Sequence, residues 1–176
     1  MGANPFKTDP SAWVRRFVPL VRPGGAVLDL ACGGGRHSRL FLDHGHPVTA
    51  IDRDVTQARM AEGAELIAAD LEDGSPWPLA GRRFAAVVIT NYLWRPLFPI
   101  LRDSLEPDGV LLYETFALGN EAFGRPRNPD HLLARGELLR LTEGLTVVAY
   151  QDGVEAAHKV VQRICALNGP GPATLF

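Results

Sequence analysis

The chain has 176 residues, which is enough for one domain with a single hydrophobic core. Its net charge of −2 argues against a protein that binds nucleic acid mainly through phosphate contacts. Two cysteines, Cys32 and Cys165, are too few for a disulfide framework, and no apolar run reaches the about 18 residues of a membrane-spanning helix. We therefore expect a reduced, cytoplasmic protein that has no membrane partner.

The composition divides the chain into three parts. Residues 1–10 are polar and contain proline, so we expect a flexible lead-in. Residues 11–167 alternate apolar runs with turn residues and are predicted to form one domain. Residues 168–176 are rich in glycine and proline and are expected to form a flexible tail.

The periodicity of the apolar residues predicts alternating helices and strands. The first half begins with a helix at 11–20, and then has strands at 26–31, 47–51 and 65–69, which are separated by helices at 36–44 and 55–63. A loop at 72–83 leads to a strand at 84–90, which is followed by a helix that carries Leu97, Leu101 and Leu105, a turn at 106–109 and a strand at 110–116. The chain then continues with a loop at 117–135, a helix at 136–143, and strands at 145–150 and 158–167. Residues 151–153 are the expected turn of a closing hairpin. This order predicts an α/β fold with a doubly wound, mostly parallel seven-stranded sheet and a C-terminal antiparallel hairpin. We expect one reversed strand at the far edge of the sheet.

The turn after the first strand is the most informative stretch. Gly33, Gly34 and Gly35 allow the backbone to lie against a ligand, and the N–H groups of the following helix face the same point. The spacing is close to the dinucleotide fingerprint, in which a pyrophosphate rests on the helix N-terminus. However, Asp29 lies just before the turn, and like charges about 4 Å apart repel by roughly 4 kcal/mol at an effective dielectric near 20. A ligand that carries an ammonium and a sulfonium would instead be attracted by the Asp29 carboxylate. The third interpretation is an ordinary strand-to-helix turn that binds no ligand.

Asp29 and the three glycines resemble the first motif of the class I S-adenosylmethionine-dependent methyltransferases, D/E-x-G-x-G-x-G, with Ala31 in place of the first glycine. The closing hairpin also resembles the seven-stranded sheet of this class, and the likeness extends over about residues 12–167. A looser likeness is to the small bacterial tellurite-resistance-type methyltransferases. The resemblance implies S-adenosyl-L-methionine as the cofactor.

Three aspartates follow three predicted strands, and the carboxyl ends of such strands line the ligand crevice of an open α/β sheet. The resemblance implies a separate role for each. Asp29 would hold the methionine ammonium, Asp52 would accept from both ribose hydroxyls, and Asp70 would accept from the adenine amino group beside the backbone of Leu71. Taken singly, each aspartate is better explained as a helix cap or a solvated side chain, but three at matching strand ends after this glycine turn are much more specific.

Further cofactor contacts are implied by the same resemblance. The backbone of Ala31 and of the three glycines would face the cofactor, and Arg53 would lie against the adenine. The backbone of Asn91 would support the methionine end. Arg36 would either pair with the methionine carboxylate or lie exposed at the start of its helix.

Candidates for the methyl acceptor site follow the fourth and fifth strands. Tyr92 and Glu114 are the predicted catalytic and substrate-binding side chains, although Glu114 could equally be a structural carboxylate. The loop at 117–135 is long for a connector, and we expect it to close over the acceptor. Its Arg125 and Arg127 would bind an anionic group or simply be solvated.

The sequence thus favours methyl transfer to a small molecule by in-line displacement. Methylation of RNA or protein is the alternative, and salt-sensitive RNA binding would distinguish it. A nicotinamide-dependent oxidoreductase is disfavoured by Asp29 and by the hairpin, and a non-catalytic binding module on the same scaffold stays open. The five histidines lack the spacing of metal ligands, so no metal is expected.

Overall fold

A computed structural model describes residues 8–156, 158–171 and 173. The helices are α1 (Ala12–Phe17), α2 (Arg36–Asp43), α3 (Phe98–Asp103) and α4 (Glu137–Leu141). The strands are β1 (Val27–Leu30), β2 (Val48–Asp52), β3 (Glu65–Ala68), β4 (Phe84–Thr90), β5 (Leu105–Phe116), β6 (Thr146–Glu155) and β7 (Lys159–Leu167).

All seven strands form one sheet in the order β3-β2-β1-β4-β5-β7-β6. The first five strands along the sheet are parallel, and β7 runs antiparallel to both β5 and β6. From β1 the chain runs to β2 and β3 on one side and then crosses to β4 and β5 on the other side, so the strand order reverses between β1 and β4. In such sheets, the crevice that binds ligands opens beyond the carboxyl ends of the two strands at this point. This confirms the predicted doubly wound sheet with its closing hairpin.

The reversed strand does not lie at the edge of the sheet as predicted. Strand β7 is second from the edge, and β6 occupies the edge. The reason lies in burial, because residues 161–167 of β7 are all buried whereas no residue of β6 is fully buried. The more apolar strand takes the covered position, and the more polar one borders solvent.

The core lies on both faces of the sheet. On one face, α1 and α2 pack Trp13 and Phe41 against the sheet in a cluster that includes Val27 of β1. On the other face, α3 and α4 cover a cluster that includes Leu28 and Leu30. Because side chains alternate along a strand, Asp29 points to the same face as Val27, where α2 begins.

The predicted helix at 55–63 is wrong. The structure has only a 3₁₀ turn, Val55–Gln57, followed by turns. Met60 donates its backbone N–H to the carbonyl oxygen of Gly34 at 3.1 Å, and Ala61 packs against Gly35. These contacts with the glycine turn outweigh the helix propensity of the alanines.

The region between α3 and β5 also differs from the prediction. Leu105 begins β5 instead of continuing the preceding helix, which ends at Asp103. Residues 106–109, predicted as a turn, form an irregular part of β5 opposite β4, with Asp108 at a positive φ of 59°. The helical spacing of three leucines is misleading here because the third leucine pairs with Phe84 in the sheet.

The hairpin turn is displaced from its predicted position. Residues 151–153 lie within β6, and its connection to β7 falls at 156–158, of which residue 157 lies outside the described residues.

Asn168, expected in a flexible tail, donates its side-chain amide to the carbonyl oxygens of Leu105 and Glu106. The expectations for residues 1–7, 172 and 174–176 lie outside the described residues. The loop at 72–83 is confirmed.

Candidate functional site

The turn between β1 and α2 is built from residues in the left-handed region of the backbone. Ala31 has a φ of 54°, Gly33 a φ of 52° and Gly35 a φ of 81°. A Cβ atom on Gly35 would lie 2.7 Å from the backbone nitrogen of Ala61, so no side chain fits there. Ala31 adopts the conformation that glycine takes most easily, at the position where the motif has its first glycine.

Asp29 lies beneath the first turn of α2 and is buried. One carboxylate oxygen accepts the backbone N–H of Ser38 at 2.8 Å and the hydroxyl of the same residue at 2.6 Å. Burial raises the pKa of Asp29 to about 6, although the two hydrogen bonds from Ser38 favour the charged form. One of the free N–H groups at the start of α2 is thus already bound by a carboxylate.

Asp52, at the end of β2, binds the other side of the turn. Its Oδ2 accepts the backbone N–H of Gly33 at 2.8 Å, and its Oδ1 accepts the N–H of Asp54 at 3.1 Å. The side chain is half-buried. Asp29 and Asp52 therefore hold backbone N–H groups from both ends of the glycine turn.

A cleft of about 210 Å³ opens beside this turn. The ends of β1 to β4 all contribute to it, through Ala31, Asp52, Asp70 and Tyr92. Asp70 is half-buried, and its Oδ1 accepts the backbone N–H of Glu72 at 3.0 Å. The structure thus brings together two of the three predicted aspartates in one cleft, with the buried Asp29 behind the turn.

Four more residues line the cleft, namely Arg53, Ala69, Leu71 and Glu72. Arg53 and Leu71 were predicted here, and Arg53 is exposed whereas Leu71 is half-buried. Glu72 was not predicted. Its position two residues after Asp70 places it near the cleft. However, a position in a loop does not show which way the side chain projects, so the sequence does not predict that Glu72 lines the cleft.

Tyr92 is grouped with the carboxylates of the cleft. Burial raises its pKa, and the neighbouring carboxylates of Glu72, Asp70 and Asp52 raise it further. The hydroxyl is protonated at neutral pH, as it is in an unperturbed tyrosine, and is available as a hydrogen-bond donor.

Arg36 and His37 begin α2 and hold the N-terminal segment. The Arg36 guanidinium donates to the carbonyl oxygen of Asp9 at 2.9 Å and to the hydroxyl of Thr90 at 3.5 Å. The buried His37 accepts the backbone N–H of Ser11 through Nε2 at 3.1 Å. Burial, together with Arg36, lowers the pKa of His37 to about 3, so the ring is neutral. Nothing in the sequence pattern indicates this contact, which joins residues 26 positions apart.

Glu114 lies buried at the end of β5 among groups that compensate its charge. It accepts the hydroxyl of Ser11 at 2.9 Å, and Lys159 and Arg163 lie 3.7 and 3.4 Å away. Asn91, at a φ of 57°, donates its backbone N–H to the carbonyl oxygen of Glu114 at 2.9 Å. These contacts fit the structural alternative that the sequence left open for Glu114.

The loop at 117–135 is fixed by a residue outside it. Arg95 pairs with Glu137 at 2.7 Å and donates to the carbonyl oxygens of Asp130 and Leu132. Arg125 and Arg127 are exposed on this loop. The anchoring by Arg95 was not predicted, because the sequence does not show which arginine reaches back to the loop.

Among the described residues, no helix is both long and apolar enough to cross a membrane. Within the same part of the chain, no three His, Cys, Asp or Glu side chains are grouped as metal ligands. Cys32 and Cys165 are both buried as free thiols.

The strand order, the antiparallel β7 and the glycine turn after β1 define the fold of the class I S-adenosylmethionine-dependent methyltransferases. The chain is 30% identical over 170 residues to a malonyl-[acyl-carrier protein] O-methyltransferase from Serratia marcescens. That alignment covers 88% of this chain and 62% of the relative, so the chain spans less than two thirds of its length. No family model matches the chain.

Solved structures agree on the fold. TehB from Haemophilus influenzae superposes with a TM-score of 0.74 at 16% identity, over 92% of this chain and 63% of that one. The N-methyltransferase NodS from Bradyrhizobium japonicum, in complex with S-adenosyl-L-homocysteine, superposes with a TM-score of 0.67 at 19% identity, over 97% and 94% of the two chains. The fold expected from the sequence resemblance is confirmed.

Proposed function

We propose that this chain binds S-adenosylmethionine and transfers its methyl group to a small-molecule acceptor. The proposal rests on one observation: two carboxylates already accept backbone N–H groups at the glycine turn and at the start of α2. Asp29 and Asp52 take the N–H groups of Ser38 and Gly33, which a pyrophosphate would need. A cationic sulfonium ligand with an ammonium group is attracted to this turn, whereas a dinucleotide meets two negative charges.

The residues around the cleft fit this cofactor in their chemistry. In the proposal, the buried Asp29 attracts the methionine ammonium from behind the turn, directly or through water. Asp52 accepts from the ribose hydroxyls, and Asp70 accepts from the adenine amino group. A carboxylate oxygen has two lone pairs, so Asp52 retains acceptor capacity beside its bonds to Gly33 and Asp54. The relative named for methyl transfer and the S-adenosyl-L-homocysteine complex of NodS support S-adenosylmethionine as the cofactor.

Smaller contributions complete the proposed cofactor site. The backbone of Leu71 and of Asn91 would face the adenine and the methionine end. Arg53 is free to lie against the adenine because its side chain is exposed at the cleft. Arg36 would meet the methionine carboxylate by exchanging its present bond to the carbonyl oxygen of Asp9.

The bound cofactor would supply an already activated methyl group, so the chain's own task is alignment and exclusion of water. The N-terminal segment, held by His37 through the backbone N–H of Ser11, supports water exclusion over the start of α2. Tyr92 would act as a donor to the acceptor or to the cofactor, because its raised pKa keeps the hydroxyl protonated. Glu114 would position Ser11 and the strand ends, since its charge is compensated.

An acceptor carried on a protein is the second candidate. The Serratia marcescens relative acts, by its name, on a malonyl group held by an acyl-carrier protein. Arg125 and Arg127 are exposed and would suit an acidic partner of that kind. RNA methylation is a weaker form of the same alternative because the net charge is −2.

A labelled-methyl transfer screen tests the proposed function. The purified chain is incubated with methyl-labelled S-adenosylmethionine and with fractions of small metabolites, carrier proteins or RNA. We expect label in the small-molecule fraction with the native chain and much less with Asp52→Ala. Label found only in the protein or RNA fraction would favour the second candidate over a small-molecule acceptor. Cofactor binding without label in any fraction would favour a non-catalytic module.

A further inference from the structure

A second cavity, of about 560 Å³, lies next to the cofactor cleft. It opens between the loop at 70–78 and helix α3, where residues 69–83 form no helix to cover the sheet. Its apolar wall is formed by Trp77, Trp94, Leu97 and Ile100. A volume of this size is typical of sites that bind small organic molecules.

All of the charged residues that line this cavity are acidic. Asp70, Glu72 and Asp73 line it, and none of the described lining residues is Lys, Arg or His. Glu72 and Asp73 are exposed at its mouth, while Trp77 and Trp94 are half-buried deeper in the wall. Electron-rich indole faces and carboxylates both attract a cation. The lining therefore favours a ligand that joins a positive charge to an apolar body.

The loop that forms the cavity is held in shape by its own hydrogen bonds. Asp73 accepts the backbone N–H of Ser75 at 2.8 Å, and Asp70 accepts that of Glu72 at 3.0 Å. Pro76 and Pro78 restrict the backbone on both sides of Trp77. The Trp77 indole nitrogen is shielded from solvent and has no hydrogen-bond partner among the described residues. The wall is thus formed before any ligand binds, which reduces the entropy lost on binding.

We propose that this cavity binds an organic cation, an amine or ammonium compound with an aromatic or branched aliphatic body. The cationic group lies between Glu72 and Asp73, and the apolar body lies against Trp77 and Trp94. Residues 69–72 line both this cavity and the cofactor cleft, so its ligand contacts the wall of the cleft from the other side. The proposal does not depend on methyl transfer, because it is argued from the lining of this cavity alone.

The tryptophan side chains give a direct test. The chain has three tryptophans, of which Trp77 and Trp94 line the cavity. Trp13 is an internal control, because its indole N–H donates to the carbonyl oxygen of Ile164 within the core. Three probes share one aromatic body: 2-phenylethylamine is cationic, 2-phenylethanol is neutral and 3-phenylpropanoate is anionic. Each is titrated into the ¹⁵N-labelled chain while the three indole N–H signals are followed by NMR.

We expect 2-phenylethylamine to shift the Trp77 and Trp94 signals, leave Trp13 in place, and bind about tenfold more tightly than 2-phenylethanol. The anionic probe should bind more weakly than the neutral one. Equal affinity for the cationic and neutral probes would overturn the proposal, as would shifts confined to Trp13 or no shift at all. Because this readout needs no cofactor, its failure is distinct from failure to bind S-adenosylmethionine.

Two variants locate the binding to this cavity. Asp73→Asn removes one charge but retains an acceptor for Ser75, and it should weaken amine binding several-fold without changing the affinity for S-adenosyl-L-homocysteine. Ile100→Phe, which places a ring in the cavity, should abolish the shifts. Leu139→Phe is the matched control on the exposed surface of α4 and should have no effect. Amine binding unchanged by both cavity variants would contradict the proposal.

Discussion

The Asp52 carboxylate accepts the backbone N–H of Gly33 at 2.8 Å, which joins the end of β2 to the turn after β1. Together with the bond from Ser38 to Asp29, it gives the glycine turn a negative character that a phosphate-binding turn lacks. The choice of a cationic over an anionic ligand rests on these two contacts. The predictions below test them and the elements that support them.

Replacing Asp52 by alanine should weaken binding of S-adenosyl-L-homocysteine by about 1–3 kcal/mol, because hydroxyl groups lose a charged partner. Isothermal titration calorimetry measures the change. Asp54→Ala is the control, since its exposed carboxylate caps only the turn at Thr56. An affinity that is equal in the native chain and in Asp52→Ala would remove the ribose-binding role.

The raised pKa of Asp29 predicts a pH-dependent stability. Between its unfolded pKa near 4 and its folded pKa of about 6, the native state retains a proton that the unfolded state has released. The free energy of unfolding should therefore fall as the pH rises from 4 to 6, by about 3 kcal/mol in total, and stay level above that. Urea unfolding of the native chain and of Asp29→Asn measures the difference, which should disappear in the variant. Parallel pH profiles for the two chains would contradict the prediction.

The same titration should appear in cofactor binding. An ammonium group binds the charged form of Asp29, so the affinity for S-adenosyl-L-homocysteine should increase as the pH rises from 5 to 7. In Asp29→Asn this increase should be absent. Calorimetry across this range provides the measurement, and an increase of the same size in the variant would assign the titration to another group.

Gly35 and Gly74 form a matched pair that separates backbone strain from crowding. Both have a φ of 81°, but a Cβ atom at Gly35 would meet Ala61 at 2.7 Å, whereas Gly74 has open space. Gly74→Ala should lower the free energy of unfolding by about 1–2 kcal/mol from the left-handed backbone alone. Gly35→Ala should add about 1–3 kcal/mol from overpacking. Denaturant titration of both variants tests this, and equal losses would mean that the contact with Ala61 has no energetic weight.

Arg95 should control the order of the loop at 117–135. Arg95→Lys keeps the charge but loses the forked donor that binds Glu137 and two carbonyl oxygens, so trypsin should cleave after Arg127 faster than in the native chain. Mass spectrometry of timed digests identifies the cleavage site. Arg102→Lys is the control because its pair with Asp103 is exposed and 4.0 Å long. Unchanged cleavage in Arg95→Lys would show that the loop is held by other contacts.

The sequence was most informative where a short stretch determines its own structure. The apolar run before Asp29 and the glycines after it predicted a buried strand and a tight turn, and both are present. The ends of β2 and β3 were also placed correctly to within one residue, which brought Asp52 and Asp70 to the same cleft. Period and turn residues act over a few positions, so these features could be predicted.

Features that depend on distant contacts were not predicted. Ala58 and Ala61 favour a helix, but the packing of Ala61 on Gly35 and the bond from Met60 to Gly34 replace it with turns. Likewise, nothing in the sequence shows that His37 reaches Ser11 or that Arg95 reaches the loop. Such pairings appear only when the sheet has brought the segments together.

Parallel calorimetric titrations of the chain with S-adenosylmethionine and with NAD test the central claim most directly. If the carboxylates of Asp29 and Asp52 select a cationic ligand, S-adenosylmethionine binds at one site per chain and NAD gives no heat of binding. Saturable binding of NAD, with none for S-adenosylmethionine, would contradict the account.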